Sequence, residues 1–108
     1  MIEGYKSQFR KGMLVRAILT ALSVGELYAS ELLDALRKTE FETQEGTVYP
    51  IMARLRREDL VSYRWEESEM GPPRKYYALT NSGLELLSSL NQYQTELEQD
   101  LLKIGAKK

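Results

Sequence analysis

The sequence predicts a single, mainly α-helical domain with a small β-hairpin, and three observations lead to this prediction. Four segments repeat apolar residues every three to four positions, which is the period of an amphipathic helix. Between the third and the fourth of them, residues 61–79 form two runs of alternating side chains on either side of a Gly-Pro-Pro sequence, as the strands of a hairpin do. The chain of 108 residues has the length of one domain.

The first two helices are predicted over residues 5–24 and 31–38. In the first, apolar side chains cover so much of the circumference that a single packing partner would leave part of them exposed. We therefore expect this helix to be covered on two sides, by its own domain and by a second subunit. Gly25 is expected to end it, and Ser30 is expected to cap the helix that follows. Residues 41–43 are predicted to be a short strand or an extended link.

A third helix is predicted over residues 45–60, with Thr43 or Gln44 as its cap. Its apolar residues recur with the helical period and form one buried stripe: Val48, Ile51, Met52 and Leu55. The opposite side has small residues in the middle and arginines at the rim, which favours a helix that presses into a groove over a plain surface helix. That side consists of Gly46, Pro50, Ala53 and Arg57, with Thr47, Tyr49, Arg54 and Arg56 on its flanks.

The hairpin is predicted to be half buried on one face. Every second residue along each strand points to that face and is apolar or aromatic: Val61, Tyr63 and Trp65 on the first strand, Tyr77 and Leu79 on the second. The tip is predicted over residues 66–73, where two prolines remove donors from the strand edge. Two short helices followed by such a ribbon make a winged helix-turn-helix, a module that lays its last helix in the major groove of duplex DNA.

Two basic residues, Arg74 and Lys75, come just after the tip of this wing, where they can reach phosphates or a minor groove. The tip itself is acidic, since it contains Glu66, Glu67 and Glu69. Because DNA repels an acidic tip, we expect contacts from the base of the wing rather than from its end.

The last helix is predicted to begin at Thr80 or at Ser82, which has Glu85 three residues on, as in a capping box. Its apolar residues have nearly the spacing of a heptad, which is typical of a helix that pairs with another helix. We call these residues the seam: Leu86, Leu90, Tyr93, Leu97, Leu101 and Ile104. We expect the seam to join two subunits, and packing against the first helix of the same subunit is the alternative. The chain then divides into a DNA-binding part, residues 1–79, and a dimerisation helix, residues 80–108, within one structural unit.

The charges are segregated although the net charge is only −1. Residues 6–16 carry four basic side chains and residues 47–57 carry three, and neither segment contains an acid. Residues 84–104 carry four acids against one lysine. This distribution fits a protein with one basic, DNA-facing side and an acidic back.

Composition excludes several classes of function. The absence of cysteine and histidine rules out disulfides, zinc fingers, Cys–His dyads and the Ser–His–Asp triad. No metal site, cofactor or catalytic residue is predicted, and the three acids of the wing tip are expected to be solvated rather than part of an enzyme. No apolar run has the length of a membrane span, and the first ten residues are too polar for a signal peptide. We therefore expect a cytoplasmic protein that does not contact membranes.

Three stretches of the sequence resemble the PadR family of transcriptional regulators. They are Glu26-Leu27-Tyr28 with Glu31-Leu32, GTVYPIMARLRREDLV at 46–61, and GPPRKYYALTNSG at 71–83. The resemblance covers nearly the full chain and implies a winged-helix dimer that binds a palindromic operator, usually as a repressor. It also implies a C-terminal helix swapped against the first helix of the partner, and often release from DNA by a small aromatic or drug-like effector. With a single C-terminal helix, the chain is similar to the shorter branch of the family.

Two departures from the family pattern concern possible contacts. Ala29 and Ser30 stand where the family often has Gly-Tyr, so a contact made by that tyrosine is not expected here. Some short members hold planar ligands between tryptophans of the last helices, whereas Trp65 lies in the wing. Phe9 and Tyr93 are the aromatic residues left to line an effector pocket, and plain interface packing is their alternative role.

The candidate DNA contacts come from the third helix, the wing and the first helix. Thr47 and Tyr49 are expected to contact base edges or backbone, and Pro50 a thymine methyl group. Phosphates or guanine are expected to bind Arg54 and Arg57, and further phosphates to bind Lys6, Arg10, Arg74 and Lys75.

The candidate dimer interface comprises Met13, Leu90, Tyr93, Leu97, Leu101 and Ile104. Double-stranded DNA, a second copy of the chain and a small aromatic effector are thus the expected partners. The alternative is a dimeric ligand-sensing or protein-interaction module that does not bind DNA, and the acidic wing tip favours it.

Overall fold

The computed structural model describes residues 1–106. Within them lie five helices and a three-stranded antiparallel sheet with strand order β1-β3-β2. In chain order the elements are α1 Ile2–Lys11, α2 Leu14–Leu22, β1 Leu27–Tyr28, α3 Ala29–Arg37, α4 Glu45–Arg57, β2 Val61–Ser68, β3 Gly71–Leu79 and α5 Asn81–Gly105. This is the predicted winged helix-turn-helix with a long C-terminal helix. Residues 107 and 108, with which the predicted segment 80–108 ends, lie outside the described residues.

The core lies between α2, α3, α4 and the first turns of α5. Three of the four residues in the predicted stripe of α4, Val48, Met52 and Leu55, are buried, and Ile51 is half buried. Burying each such side chain contributes about 1.5–3 kcal/mol. The buried cluster as a whole consists of Ile18, Leu19, Leu22, Leu32, Leu36, Val48, Met52, Leu55, Val61 and Leu87.

The single helix predicted over residues 5–24 is wrong, because the structure has two helices there. α1 ends at Lys11 with Gly12 as its C-cap, and the N–H of Met13 donates to the carbonyl of Arg10 at 2.9 Å. That bond spans three residues rather than four, so the chain tightens at a glycine, which is a poor helix former. α1 contributes no buried residue, whereas α2 buries Ile18, Leu19 and Leu22.

The second predicted helix begins two residues earlier than expected, and Ser30 is not its cap. Leu27 and Tyr28 pair with Tyr77 and Tyr76 of β3, and α3 starts directly after them. The N–H of Tyr28 donates to the carboxylate of Glu31 at 3.1 Å. The strand β1 was not predicted, since two residues are too short to display an alternation. Residues 41–43 form a turn and an irregular link rather than a strand.

The third helix ends at Arg57 rather than at residue 60. Beyond it, Asp59 has φ 58°, in the left-handed region, and the N–H of Leu60 donates to the carbonyl of Leu55 at 2.9 Å. This is the pattern of a Schellman motif, with an aspartate where glycine is usual. Gln44 is the residue before the helix, as one of the two predicted alternatives had it.

The wing is longer and less buried than predicted. Its strands run to Ser68 and from Gly71, so the tip is Glu69 and Met70, and both prolines lie within β3. On β2 only Val61 is buried, while Tyr63 and Trp65 are 38% and 60% exposed. The prediction of a half-buried face is therefore wrong for the outer part of β2, because the ribbon extends past the helices that could cover it.

The last helix begins as one of the two alternatives predicted. Thr80 is its cap, since its hydroxyl accepts the N–H of Gly83 at 3.0 Å, and the predicted capping box at Ser82 and Glu85 is wrong. The same hydroxyl donates to the carbonyl of Asp59 at 2.7 Å and so joins α5 to the end of α4. No helix among residues 1–106 combines the length and the apolar character needed to cross a membrane.

Candidate nucleic-acid interface

The side of α4 opposite the buried stripe faces solvent. Gly46, Tyr49, Pro50, Ala53 and Arg57 are all exposed there. Pro50 lies in the second turn, four residues after Gly46, and a Cβ at Gly46 would meet no atom within 4 Å outside the backbone of its own helix. A smooth, small-residue surface with a cation at its end is the shape that fits against the floor of a major groove.

A cavity of about 380 Å³ separates this side of α4 from the inner face of the wing. We call it the helix–wing groove. Its floor is largely aromatic and apolar, and its cations come from both elements. The lining residues are Tyr49, Met52, Ala53, Arg56, Arg57, Tyr63, Lys75 and Tyr77.

A second cavity, of about 420 Å³, continues the groove towards the start of α3. It shares Tyr49, Lys75 and Tyr77 with the helix–wing groove and adds Tyr28, Ala29, Ser30, Trp65 and Arg74. Burial raises the pKa of the Tyr77 phenol, and the neighbouring Tyr49 and Tyr63 raise it further. At neutral pH Tyr77 therefore remains an uncharged hydrogen-bond donor beside the cations.

The two basic residues of the wing, predicted together, project from opposite faces of the ribbon. The ammonium of Lys75 lies 4.5 Å from the ring centre of Tyr63 and 5.2 Å from that of Trp65, on the groove side. The guanidinium of Arg74 lies 4.7 Å from the ring centre of Tyr28, where it lines the second cavity but not the helix–wing groove. Successive residues of a strand point in opposite directions, which accounts for the separation.

Arg54 and Thr47 lie on the flank of α4 away from the wing. The Nε–H of Arg54 donates to Glu58 at 2.9 Å, in a groove that also contains Val15 and Leu86. Thr47 lines a polar cleft together with Arg10 of α1. The structure thus brings Tyr49, Arg57 and Lys75 together in the helix–wing groove. Arg54, Thr47 and Arg10 lie outside that groove.

The cations differ in whether a carboxylate already neutralises them. Lys6 lies 3.7 Å from Glu3, Arg10 lies 3.5 Å from Glu40, and Arg54 is paired as described. Within residues 1–106, by contrast, Arg57, Arg74 and Lys75 have no carboxylate oxygen within 4.0 Å, since every ion pair of that region involves other cations. Unpaired cations bind a phosphate without first giving up an internal partner.

The acidity of the wing is partly compensated by Arg64. Its guanidinium contacts Glu66 and Glu26, each at 2.8 Å. Hydrogen bonds to Glu26 and Glu66 raise the pKa of Arg64, so these two carboxylates face a permanent positive charge. Among the wing carboxylates, those of Glu67 and Glu69 near the tip form no ion pair within the described residues, and neither lines the helix–wing groove.

Sequence reasoning left four residues that line one or other of these two cavities out of the candidate site. Arg56 was noted only as a flank of the third helix, Tyr63 and Trp65 only as residues of the hairpin, and Tyr28 only within a stretch that resembles the family. The signal that could have found Tyr63 and Trp65 is the register of the hairpin. Tyr63 pairs with Tyr77 and Trp65 with Lys75, so these four side chains share the face that turns towards α4.

An exposed apolar surface runs along the rest of α5. Of the seam, Leu86 and Leu90 are half buried, whereas Tyr93, Leu97, Leu101 and Ile104 are 55%, 42%, 59% and 80% exposed. α1 exposes Ile2, Tyr5 and Phe9, and Met13 is half buried. α1 therefore does not cover the exposed part of the seam, whereas α2, the second half of the predicted first helix, packs against the start of α5 beside Leu86. The residue of α5 that enters the core is Leu87, which lies outside the predicted seam.

Comparison with known proteins assigns the chain to a family. The model of the family described as "Transcriptional regulator PadR-like family" matches residues 18–89, which is two thirds of the chain. The chain belongs to the PadR-like family. Members of this family are transcriptional regulators and not enzymes. No curated protein sequence matches this PadR-like chain.

Several solved structures are similar to this PadR-like protein over almost its whole length. A PadR-like transcription factor from Bacteroides fragilis is 42% identical, with a TM-score of 0.83 and coverage of 94% of this chain and 99% of the other. A PadR-like transcriptional regulator from Bacillus cereus is 33% identical, with a TM-score of 0.77 and coverage of 94% and 99%. Bacillus subtilis PadR in complex with operator DNA is 25% identical, with a TM-score of 0.67, and the match covers 71% of this chain and 45% of that one.

Proposed function

We propose that this PadR-like protein is a dimeric, cytoplasmic repressor that binds a palindromic operator with α4 and the wing of residues 61–79. The observation that carries the proposal is the helix–wing groove. There the exposed side of α4 and the unpaired cations Arg57 and Lys75 border one concave surface. The similarity to Bacillus subtilis PadR, which was solved with operator DNA, supports the same mode of binding here.

In the proposed complex, α4 enters the major groove. Tyr49 and Thr47 contact base edges or backbone, and Pro50 contacts a thymine methyl group. Arg57 binds phosphate or guanine from the groove side, and Arg54 does so from the opposite flank after leaving Glu58. The remaining contacts are to phosphates and come from Lys6, Arg10, Arg74 and Lys75, so affinity falls with salt concentration.

Dimerisation through α5 would cover the exposed part of the seam. The apolar residues of α1 offer a complementary surface for the α5 of a second copy, with Met13, Leu90, Tyr93, Leu97, Leu101 and Ile104 at the interface. In this arrangement residues 1–79 form the DNA-binding part and residues 80–108 the dimerisation helix. A small aromatic effector would bind between Phe9 and Tyr93, two residues that are 70% and 55% exposed in the single chain.

The test removes both arginines that border α4. Arg54→Ala with Arg57→Ala should leave the fold intact, because both side chains are exposed, and should abolish operator binding in a gel shift. The charge-matched control is Arg37→Ala with Lys103→Ala, which removes two cations from the last turns of α3 and α5. Operator binding that survives the first pair of substitutions would exclude this face of α4. The single variants then separate the groove side, Arg57, from the opposite flank, Arg54.

A titration of the unaltered protein with duplex DNA of arbitrary sequence separates this function from a module that does not bind DNA. A DNA-binding regulator should bind even such a duplex at low salt, with a logarithmic affinity that falls by about 0.9 per neutralised phosphate for each tenfold increase in salt. Affinity that is absent, or that does not respond to salt, would favour the ligand-sensing or protein-interaction module instead.

A further inference from the structure

The ring of Tyr63 contacts two cations that come from different elements. The guanidinium of Arg56, on α4, lies 5.5 Å from its centre, and the ammonium of Lys75, on β3, lies 4.5 Å from it. Trp65 stands edge-on to Tyr63 at 6.2 Å and holds the same ammonium at 5.2 Å. One aromatic pair therefore links the helix and the wing through their positive charges.

Two like charges on one ring repel each other, so the arrangement needs an explanation. Lys75 has no carboxylate oxygen within 4.0 Å in the described part of the chain, and Arg56 has one at 3.5 Å, from Asp59, whose side chain is 86% exposed. The face of an aromatic ring attracts a cation and compensates part of that repulsion. Both cations line the helix–wing groove, so an anion bound in that groove would reduce the remainder. The sites that a DNA duplex offers to such a pair are the phosphodiesters of its backbone.

We propose that Tyr63 and Trp65 are positioning residues that hold Arg56 and Lys75 as a two-cation clamp for the phosphodiester backbone beside the helix–wing groove. This inference rests on the proposed function, since it assigns the contacts of that same surface. A lysine at the surface samples many rotamers, and binding costs the entropy of fixing one of them. Because the rings restrict Lys75 and Arg56 before DNA arrives, that part of the cost is reduced.

The clamp also fixes the wing relative to α4. The outer part of β2 has few buried contacts, since Trp65 is largely exposed and Tyr63 is more than a third exposed. The contact between Arg56 and Tyr63 is thus a direct link between the helix that enters the major groove and the ribbon that flanks it. The competing explanation is that the two rings merely stabilise the hairpin by cross-strand packing.

The experiment is a double-mutant cycle on binding to a fluorescein-labelled duplex of arbitrary sequence, measured by anisotropy between about 50 and 200 mM salt. Tyr63→Leu removes the ring, and Tyr63→Phe, the control, retains it. Losing the ring should weaken binding about two- to fivefold for each cation released, whereas Tyr63→Phe should stay within about twofold of the unaltered protein. In the background of Arg56→Ala with Lys75→Ala, Tyr63→Leu should have almost no further effect, because no cation is left to position.

A second readout does not require DNA. The side-chain protons next to the Lys75 ammonium lie over two rings, so their NMR signals should be shifted upfield. Those signals should move towards the values of a free lysine in Tyr63→Leu. If Tyr63→Leu does not fold, Trp65→Leu is used for the same cycle with Lys75, since Trp65 is exposed and outside the core.

The outcomes separate the two proposals. If the unaltered protein shows no salt-dependent duplex binding, the proposed function fails, and the clamp fails with it. If it binds, and Arg56→Ala and Lys75→Ala weaken binding, but Tyr63→Leu matches the unaltered protein, the clamp alone is refuted. The clamp is also refuted if Tyr63→Leu costs as much affinity in the cation-free background as in the unaltered protein, because its role is then structural.

Discussion

Gly83 gives the sharpest prediction of stability, because its environment opposes the usual preference of a helix. An alanine normally stabilises a helix by about 0.8–1.0 kcal/mol relative to glycine. A Cβ at position 83, however, would lie 2.1 Å from the carbonyl oxygen of Leu60 and 3.2 Å from a methyl carbon of Leu79. The first contact is with backbone, so no rotamer change relieves it. The same carbonyl accepts the N–H of Thr80 at 3.2 Å, and moving it would disturb the start of α5.

Gly83→Ala should therefore destabilise the protein in spite of the gain in helix propensity. Overpacking of a core typically costs about 1–3 kcal/mol, and a contact with backbone belongs near the upper end. Subtracting the gain leaves a net loss of about 2 kcal/mol, which corresponds to a fall in Tm of roughly 10 °C for a chain of this size. Thermal unfolding followed by circular dichroism measures it, at fixed protein concentration because subunit association also changes Tm.

Gly46→Ala is the matched control. Gly46 lies in the first turn of α4, and a Cβ there meets no atom within 4 Å. The same substitution should raise stability by about 0.5 kcal/mol at that position. If Gly83→Ala is as stable as the unaltered protein, or more stable, then the first turn of α5 does not press against Leu60 as described. Equal effects at the two glycines would refute the reasoning from local space.

Two further predictions concern α5. Thr80→Val should reduce the free energy of unfolding by about 1–2 kcal/mol, because it leaves the N–H of Gly83 and the carbonyl of Asp59 without the hydroxyl that binds both. The control in the same denaturant titration is Thr95→Val, on the exposed middle of the helix. Equal losses of stability in the two variants would contradict a special role of the cap. Leu97→Asp should yield monomer or unfolded chain in sedimentation, since a charge in an apolar interface is costly, whereas Thr95→Asp should leave the dimer intact. A dimer that persists in Leu97→Asp would remove the last helix from the interface.

The sequence allowed the fold to be predicted where a pattern was long and periodic. The stripe of α4 and the alternation from Val61 to Leu79 identified the module, and the family resemblance agreed with both. The prediction failed where one residue changed the outcome. Gly12 splits the first helix although the apolar period continues across it, and β1 exists only because Leu27 and Tyr28 find partners on β3. Neither effect can be seen without knowing which segments are neighbours in space.

The candidate site was predictable in its elements but not in its grouping. A helical wheel puts Arg54 and Arg57 near one another, yet Arg54 turns towards α2 and α5 while Arg57 borders the wing. Likewise, adjacency in sequence suggested one role for Arg74 and Lys75, and the pleat of β3 separates them. The missing information was which neighbour covers each flank, and that depends on packing between elements rather than on the period of any single one.

The corner at Thr80 connects the proposed DNA-binding face of α4 to the exposed seam of α5. α5 has 25 residues and is about 37 Å long, yet it enters the core only through its first turns, with Gly83 and Leu87 as its buried residues among those described. Its direction is set by the Thr80 hydroxyl, which binds Asp59 at the end of α4, and by α2, whose Arg16 donates to Asn91 at 2.7 Å. In the proposed dimer a small rotation of α5 at this corner would change the separation of the two α4 helices, which must meet half-sites about one DNA turn apart.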